Sequence, residues 1–198
     1  MRTNAIVAGV GMTPFGKHLD KSLKQLGGDP VLEAVADAGL ELSDIEAAYV
    51  GNCAAGTVTG QESIRGQVIL SSIGLGMIPI INIENACGSS STALNQAAMM
   101  ISAGYYDVAL VVGVEKLFHE NKAVTYAAFS GAVDVEVRDQ MIAEMSKGQS
   151  EGSGKSRSMF TDFYGVMARD HMKKYGSTVE HFAMVSAKNS YHGSLNPK

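Results

Sequence analysis

Apolar runs alternate with amphipathic stretches over the first part of the chain, up to residue 113. The apolar runs predict four strands, at residues 4–10, 46–52, 77–83 and 107–113. The intervening stretches carry apolar residues at helical spacing and predict helices that begin at Asp29, near Gln61 and near Ser89. Strands that alternate with helices in this way are typical of an α/β fold with a mostly parallel sheet.

The pattern changes beyond Phe118. A stretch without a clear period, residues 122–137, overlaps a short predicted helix at 134–145. A Gly/Ser-rich tract typical of flexible segments follows at 147–158. Two longer helices are predicted after it, one at 160–175 and one that begins after 177–180. The last helix follows Ser177-Thr178-Val179-Glu180, which has the sequence of a capping box. The change in character predicts two regions, residues 1–118 and 119–198.

The turn between the third strand and the helix after it carries Cys87. The N-terminus of a helix presents free N–H groups and the positive end of the helix dipole, and both favour a thiolate. Gly88 allows a sharp bend and the close approach of a substrate, and the serines from Ser89 onward can cap the first turn. These features make Cys87 a candidate nucleophile. A buried structural cysteine is the alternative that position alone leaves open.

Cys53 is the competing thiol, since it also follows a predicted strand. The next helix is expected several residues later, near Gln61, so Cys53 lacks the helix N-terminus that is available to Cys87. We therefore interpret Cys53 as a packing residue, with a position lining the site as the alternative.

Composition narrows the function classes. Hydrophobic residues make up 45% of the 198 residues and charged residues only 18%, which suits a well-buried or oligomeric protein. The net charge of −4 and the lack of a basic cluster argue against nucleic acid as a partner. Two cysteines without Cys-x-x-Cys spacing predict neither a disulfide framework nor a metal site, and they fit a reducing cytoplasm. Neither a signal peptide nor a membrane-spanning run is expected.

Four stretches together resemble the thiolase family, closest to its sterol-carrier-protein-type acetyl-CoA acetyltransferase branch. Asn85-Ala86-Cys87-Gly88-Ser89-Ser90-Ser91-Thr92-Ala93-Leu94 resembles the segment of the nucleophile. The stretches 6–16, 112–117 and 187–197 are similar to the first strand and loop, to the Gly-x-Glu-Lys-Met stretch and to the Lys-Asn-His…Asn-Pro segment. Two departures are Leu117 where Met is usual, and Ser190-Tyr191 where a histidine is often found. The resemblance covers essentially the whole chain, in order.

The resemblance implies a fold and an activity. The fold would be one half of a duplicated core, a five-stranded mixed sheet with helices on both faces, together with a partly helical loop domain. The activity would be that of an acyl-CoA C-acyltransferase, which cleaves a 3-ketoacyl-CoA with coenzyme A, or the reverse Claisen condensation, through an acyl intermediate on Cys87. Coenzyme A and acyl-CoA are then substrates, and no covalently bound cofactor or metal is expected.

The resemblance also suggests residues for substrate binding. Gly88 and Ser89 flank the nucleophile, and His119 lies just beyond the fourth strand, where α/β sites form. Lys155 and Arg157 are candidates for the phosphates of coenzyme A. For His119 a surface position, and for the two cations a simply solvated position, are the alternatives. Related enzymes bring the region of Arg65 near a partner subunit, so we expect Arg65 to be an interface or solvated residue.

The catalytic set is incomplete in this sequence. In the family the histidine base, a second cysteine and most oxyanion-hole groups lie in the C-terminal half, and their motifs do not occur here. We expect this chain to be the N-terminal part of a protein about twice as long, with a separately encoded half as the alternative. We expect it to associate, as a homodimer or tetramer, and a small OB-fold protein is a further candidate partner.

Other functions remain open at this point. One is a non-catalytic thiolase-like subunit that binds acyl-CoA or acts as a scaffold. Another is a ketoacyl-synthase-like or hydroxymethylglutaryl-CoA-synthase-like condensing enzyme, which uses a cysteine at the same turn. A related branch performs retro-aldol cleavage of steroid-side-chain thioesters, and its nucleophilic cysteine is typically replaced. Cys87 therefore argues against that branch.

Overall fold

A computed structural model describes residues 3–146 and 159–198. Three parallel strands form a sheet in the order β2-β1-β3, with bounds β1 Ala47–Gly51, β2 Ile80–Ile83 and β3 Ala109–Gly113. Gly51 is paired with Ile83 on one side and with Gly113 on the other, so the three strands end at the same level. The residues that follow the strands therefore gather at one edge of the sheet.

The described residues also form eight α-helices. Their bounds are α1 Leu23–Asp37, α2 Ala55–Thr59, α3 Arg65–Ser71, α4 Ser89–Ser102, α5 Lys122–Ser130, α6 Arg138–Ser146, α7 Met159–Tyr175 and α8 Val179–Ser194. Two short 3₁₀ turns, Leu42–Asp44 and Ala86–Gly88, precede β1 and α4.

Helices cover both faces of the sheet, as alternate residues of β1 show. Ala48 and Val50 point into a core shared with α1 and α3. Ala47 and Tyr49 point the other way, into a core shared with α4. Side chains of a strand alternate between faces, so a strand buried throughout requires a helix layer on each side. The predicted α/β architecture with helices on both faces is confirmed.

Two glycines bring the start of α4 close to the sheet. A Cβ placed on Gly51 would lie 2.8 Å from the backbone nitrogen of Ser90, and one on Gly113 would lie about as close to the Ser90 side chain. A side chain at either strand end would push α4 away. The first turn of α4, which follows Cys87, is therefore seated directly on the ends of β1 and β3.

The predicted strand at residues 4–10 is wrong, because no strand forms there. The N–H of Val10 donates to Asp37 Oδ2 at 2.9 Å, and the N–H of Met12 donates to Glu33 Oε2 at 3.0 Å. Backbone groups that would join a sheet are thus bonded to side chains of α1. The apolar side chains of this segment stay exposed, to 86% for Ile6 and 72% for Val7.

Several helix boundaries also differ from the prediction. Helix α1 begins at Leu23 and not at Asp29, because Ser22 and Gln25 form a capping box ahead of it. Pro30 consequently lies inside the helix. The expected loop after Cys53 contains α2, and the stretch without a period contains α5. Helix α8 is capped one residue later than predicted, at Thr178, whose N–H donates to His181 Nδ1 at 3.0 Å.

The chain divides into two compact units, residues 1–132 with Lys198, and residues 133–197. The second unit holds α6, α7 and α8. The sequence predicted α7 to within one residue, whereas α6 begins at Arg138, four residues later than predicted. Within this unit the ring of His171 contacts Tyr175 and Phe182. The Gly/Ser-rich tract at 147–158 lies outside the described residues. Among the helices that the structure describes, none has the length and apolar character needed to cross a bilayer.

Candidate active site

Cys87 lies in the 3₁₀ turn Ala86–Gly88 between β2 and α4, and it is exposed. Ala86, directly before it, has a φ of 44°, in the left-handed region that L residues with a Cβ rarely adopt. The sharp bend that the sequence predicted at Gly88 is therefore at Ala86, while Gly88 has an ordinary φ of −94°. Strained residues of this kind persist where the surrounding structure holds them, and they cluster at functional sites.

Side-chain hydrogen bonds hold this turn. Ser89 Oγ accepts from the N–H of Asn85 at 2.9 Å and donates to the carbonyl of Ala86 at 2.7 Å. The side chain of Asn85 donates to Thr92 Oγ1, which donates to the carbonyl of Gly88, each at 2.9 Å. The predicted capping role of Ser89 is wrong, because Gly88 is the N-cap and α4 has no side-chain cap. Ser89 is buried and fastens the turn to the helix.

Glu84 connects the Cys87 turn to Cys53. Its Oε1 accepts from the N–H of Ala86 at 2.6 Å, and its carboxylate lies near enough to the Cys53 thiol to raise the pKa of that thiol. Cys53 and Glu84 follow two adjacent strands, β1 and β2, which are still bonded to one another where the N–H of Asn52 donates to the carbonyl of Ile83 at 3.1 Å. The structure therefore brings Cys53 to the same edge of the sheet as the Cys87 turn, with Glu84 near both.

Burial raises the pKa of the half-buried Cys53 thiol, and the nearby side chain of Glu84 raises it further. The charges of Glu84 and Glu115, and the neighbouring Cys87, act in the same direction. Each of these effects disfavours the thiolate. The thiolate of Cys53 is thus disfavoured and its side chain is half-buried, whereas Cys87 is exposed to solvent.

A buried polar network lies behind Cys53. Asn52 is only 5% exposed, and its side-chain amide donates to the carbonyl of Val114 at 2.6 Å and to Glu115 Oε1 at 3.1 Å. Its side-chain oxygen accepts from Arg65 Nη1 at 2.8 Å. Arg65 also donates to the carbonyl of Cys53 at 3.3 Å and to that of Gln61 at 2.8 Å. Arg65 was expected to be an interface or solvated residue; it is not simply solvated, and its place at an interface stays a prediction.

The other predicted site residues lie as follows. His119 precedes α5 and accepts from the N–H of Asn121 at 3.0 Å, a local contact that does not join it to the Cys87 turn. Gly88 and Ser89 directly follow Cys87, and their expected contact with a substrate stays a prediction. Lys155 and Arg157 lie outside the described residues. Across residues 3–146 and 159–198, no group of three or more His, Cys, Asp or Glu side chains is arranged to hold a metal ion.

Sequence reasoning missed Asn52, Glu84, Glu115 and the role of Arg65. The first three share one signal, because each is a polar residue within two positions of the carboxyl end of a strand. In a parallel sheet, that position predicts a place at the site.

Comparison with known proteins agrees with this geometry. Residues 5–198 match the family model described as "Thiolase, N-terminal domain". The chain belongs to the thiolase family. It is 35% identical over 198 residues to an acetyl-CoA acetyltransferase of Methanothermobacter thermautotrophicus, an alignment that covers all of this chain and 47% of that protein. It is 32% identical over 199 residues to sterol carrier protein 2 of Bos taurus, covering all of this chain and 34% of that protein.

A solved structure extends the agreement to the fold of this thiolase family member. The structure titled "Ltp2-ChsH2(DUF35) aldolase" matches 96% of this chain and 43% of the aldolase chain, with a TM-score of 0.62 and 26% identity. The chain thus spans less than half the length of these relatives.

Proposed function

We propose that this chain is the nucleophile-bearing half of an acyl-CoA C-acyltransferase. The observation that carries the proposal is Cys87, an exposed thiol on a strained turn at the carboxyl edge of a parallel sheet, with α4 beginning directly after it. Relatives named acetyl-CoA acetyltransferase, aligned over 100% and 99% of this chain, support the same reaction class.

In the proposed reaction Cys87 forms and loses a thioester. Its thiolate attacks the ketone carbon of a 3-ketoacyl-CoA, and the tetrahedral adduct collapses with cleavage of the bond to the α-carbon. That bond's electron pair leaves on acetyl-CoA as an enolate, which takes a proton from an acid. The thiol of coenzyme A then gives its proton to a base, attacks the thioester, and releases the shortened acyl-CoA with Cys87 regenerated. Claisen condensation is the reverse.

The two thiols have different parts in this proposal. Cys53 is half-buried, and burial and the nearby carboxylates of Glu84 and Glu115 raise the pKa of its thiol, which disfavours the thiolate. Cys87 is exposed and reaches an acyl group directly. Gly88 and Ser89 lie beside the acyl group, His119 lines the approach to it, and Lys155 and Arg157 meet the phosphates of coenzyme A.

The remaining groups of the reaction belong to a second half. We assign the base, the acid and most oxyanion donors to that half, where the family carries them. It would form the other half of the duplicated core, and the sheet of the present half, of which three strands are described, would have five strands in the assembled protein. The working protein is then a cytoplasmic homo-oligomer that acts in lipid metabolism.

A second candidate function is an acyl-CoA-binding thiolase-like subunit that works together with a small partner protein. The match to the aldolase whose title includes a DUF35 component favours it. The two functions differ in what happens to Cys87, because only the first forms a covalent acyl group there.

Acylation of Cys87 tests the proposal. The protein, purified with any chains that accompany it, is mixed with a 3-ketoacyl-CoA or acetyl-CoA, quenched in acid and mapped by peptide mass. We expect one acyl group on the Cys87 peptide, lost in Cys87→Ala and kept in Cys53→Ala, the matched control. An acyl-CoA that binds without acylating Cys87 would favour the binding subunit and exclude the transferase.

A further inference from the structure

Glu115 lies two residues beyond β3 and holds the turn that follows β1. Its Oε2 accepts from two successive backbone N–H groups, those of Cys53 and Ala54, each at 3.0 Å. Its Oε1 accepts from the side-chain amide of Asn52 at 3.1 Å. One carboxylate thus receives three donors from three consecutive residues, an arrangement in which hydrogen bonds to a charged acceptor are strong.

The groups around this carboxylate leave little freedom for another arrangement. Both side-chain protons of Asn52 are used, one by Val114 and one by Glu115, and its oxygen is used by Arg65. Asn52 is buried, so loss of a partner would leave a polar group without compensation. The network therefore fixes which way the backbone N–H groups of Cys53 and Ala54 point.

Fixing these two N–H groups also fixes the thiol of Cys53. The carbonyl of Cys53 is held separately by Arg65 Nη1 at 3.3 Å, so the peptide groups on both sides of its Cα are constrained. The residue before Cys53 is bonded to β2, where the N–H of Asn52 donates to the carbonyl of Ile83 at 3.1 Å, and the next residue, Glu84, accepts from the N–H of Ala86, the residue before Cys87. A chain of contacts runs from Glu115 through Asn52 and Glu84 to the nucleophile turn.

We propose that Glu115 is a positioning residue, which clamps the Cys53–Ala54 backbone and so holds Cys53 in place at the edge of the sheet that carries Cys87. This role rests on the proposed function and adds to it, because it names what holds the Cys53 thiol in place while the Cys87 thiol accepts the acyl group. The clamp acts through the backbone, and Glu115 itself touches no reacting atom.

Backbone amide exchange and thiol labelling test the clamp on the intact chain. In Glu115→Ala we expect the amides of Cys53 and Ala54 to exchange about tenfold faster, since they lose their only acceptor described in the structure. Iodoacetamide should label Cys53 about threefold faster near pH 8, because its backbone is released and the charge of a nearby carboxylate that raises the pKa of the thiol is removed. Labelling of Cys87 should change less than labelling of Cys53.

Two further variants separate the clamp from general stability. Glu115→Gln restores an oxygen acceptor without the charge, so it should recover amide protection to within about threefold of the wild type. Glu62→Gln removes an exposed carboxylate that contacts the same Arg65 at 3.5 Å, and it should leave both readouts unchanged. The amides of β1 report whether each variant is folded.

Three outcomes would overturn the proposal. The first is that folded Glu115→Ala keeps the wild-type rates of amide exchange and thiol labelling. The second is that Glu115→Gln recovers no more amide protection than Glu115→Ala. The third is that both cysteines are labelled faster while amide exchange is faster throughout β1. If Glu115→Ala does not fold, Glu115→Gln carries the test: protected amides with labelling of Cys53 close to the wild-type rate support the clamp, and protected amides with much faster labelling overturn it, because the backbone would then not be what holds the thiol. None of these readouts uses acyl-CoA, so a failure of Cys87 acylation would reject the proposed function and leave the clamp decided separately.

Discussion

At the scale of single residues, Ala86 holds an unfavourable backbone conformation next to Cys87, with φ at 44°. Glycine adopts this region without the clash of a Cβ, so Ala86→Gly should stabilise the fold by about 1 kcal/mol. Ala98→Gly is the matched control, because Ala98 lies inside α4 and the same change should destabilise by about 1 kcal/mol. Urea unfolding measures both, and equal destabilisation by the two changes would contradict strain at Ala86.

The candidate nucleophile was predictable residue by residue, whereas its supporting contacts were not. Local sequence features, a strand before it and a helix after it, were enough to predict Cys87 as the nucleophile candidate. Glu115 is more than 60 positions from Cys53, and its role depends on the register that sets β1 beside β3. Periodicity indicates that a strand exists but not which neighbour it pairs with, so contacts between strand ends escape prediction.

At the scale of elements, the seating of α4 on the sheet decides where Cys87 lies. A Cβ on Gly51 would meet backbone atoms of Ser89 and Ser90 at 2.8 to 3.0 Å, and backbone has little room to move. Gly51→Ala should therefore destabilise by about 1–3 kcal/mol and slow acylation of Cys87 by displacing its turn. Urea unfolding and the acylation assay measure the two effects.

Gly76→Ala provides the control for this element. An added Cβ there meets nothing within 4 Å, so both the stability and the acylation rate should stay at the wild-type values. If Gly51→Ala behaves like Gly76→Ala, the helix tolerates displacement and its seating does not set the position of Cys87. An effect on stability without an effect on acylation would separate the packing from the site.

The sequence predicted which helices and strands exist better than it predicted where each of them begins and ends. Strands β1 and β3, and helices α4 and α7, were predicted to within about two residues at most ends, since each is a strongly periodic or continuously apolar run. The dipeptide Asp29-Pro30 is a typical helix start and predicted one there, whereas the capping box at Ser22 and Gln25 begins α1 earlier. Helix α1 contains Pro30 in its interior, which the sequence pattern does not predict, because proline usually marks a helix start or break.

At the scale of the whole molecule, residues 4–10 have the apolar pattern of a strand and no strand partner among the described residues. Ile6 and Val7 remain 86% and 72% exposed. Apolar surface of this kind favours association, and burying one isoleucine side chain contributes about 1.5–3 kcal/mol, about tenfold or more in an association constant. The pattern and the exposure together predict that this segment is covered by the proposed second half or by another copy of the protein, and an effect on association would point to another copy.

Ile6→Lys tests that prediction, since a lysine cannot be buried there without a large cost. We expect it to weaken association by about tenfold or more, measured by sedimentation velocity across a concentration series. Met77→Lys is the matched control, because Met77 is also fully exposed but lies outside residues 4–10, with its backbone in the left-handed region. If both changes weaken association equally, added charge alone accounts for the effect. If neither does, residues 4–10 are not the associating surface, and the interface must be sought at the open edges of β2 or β3.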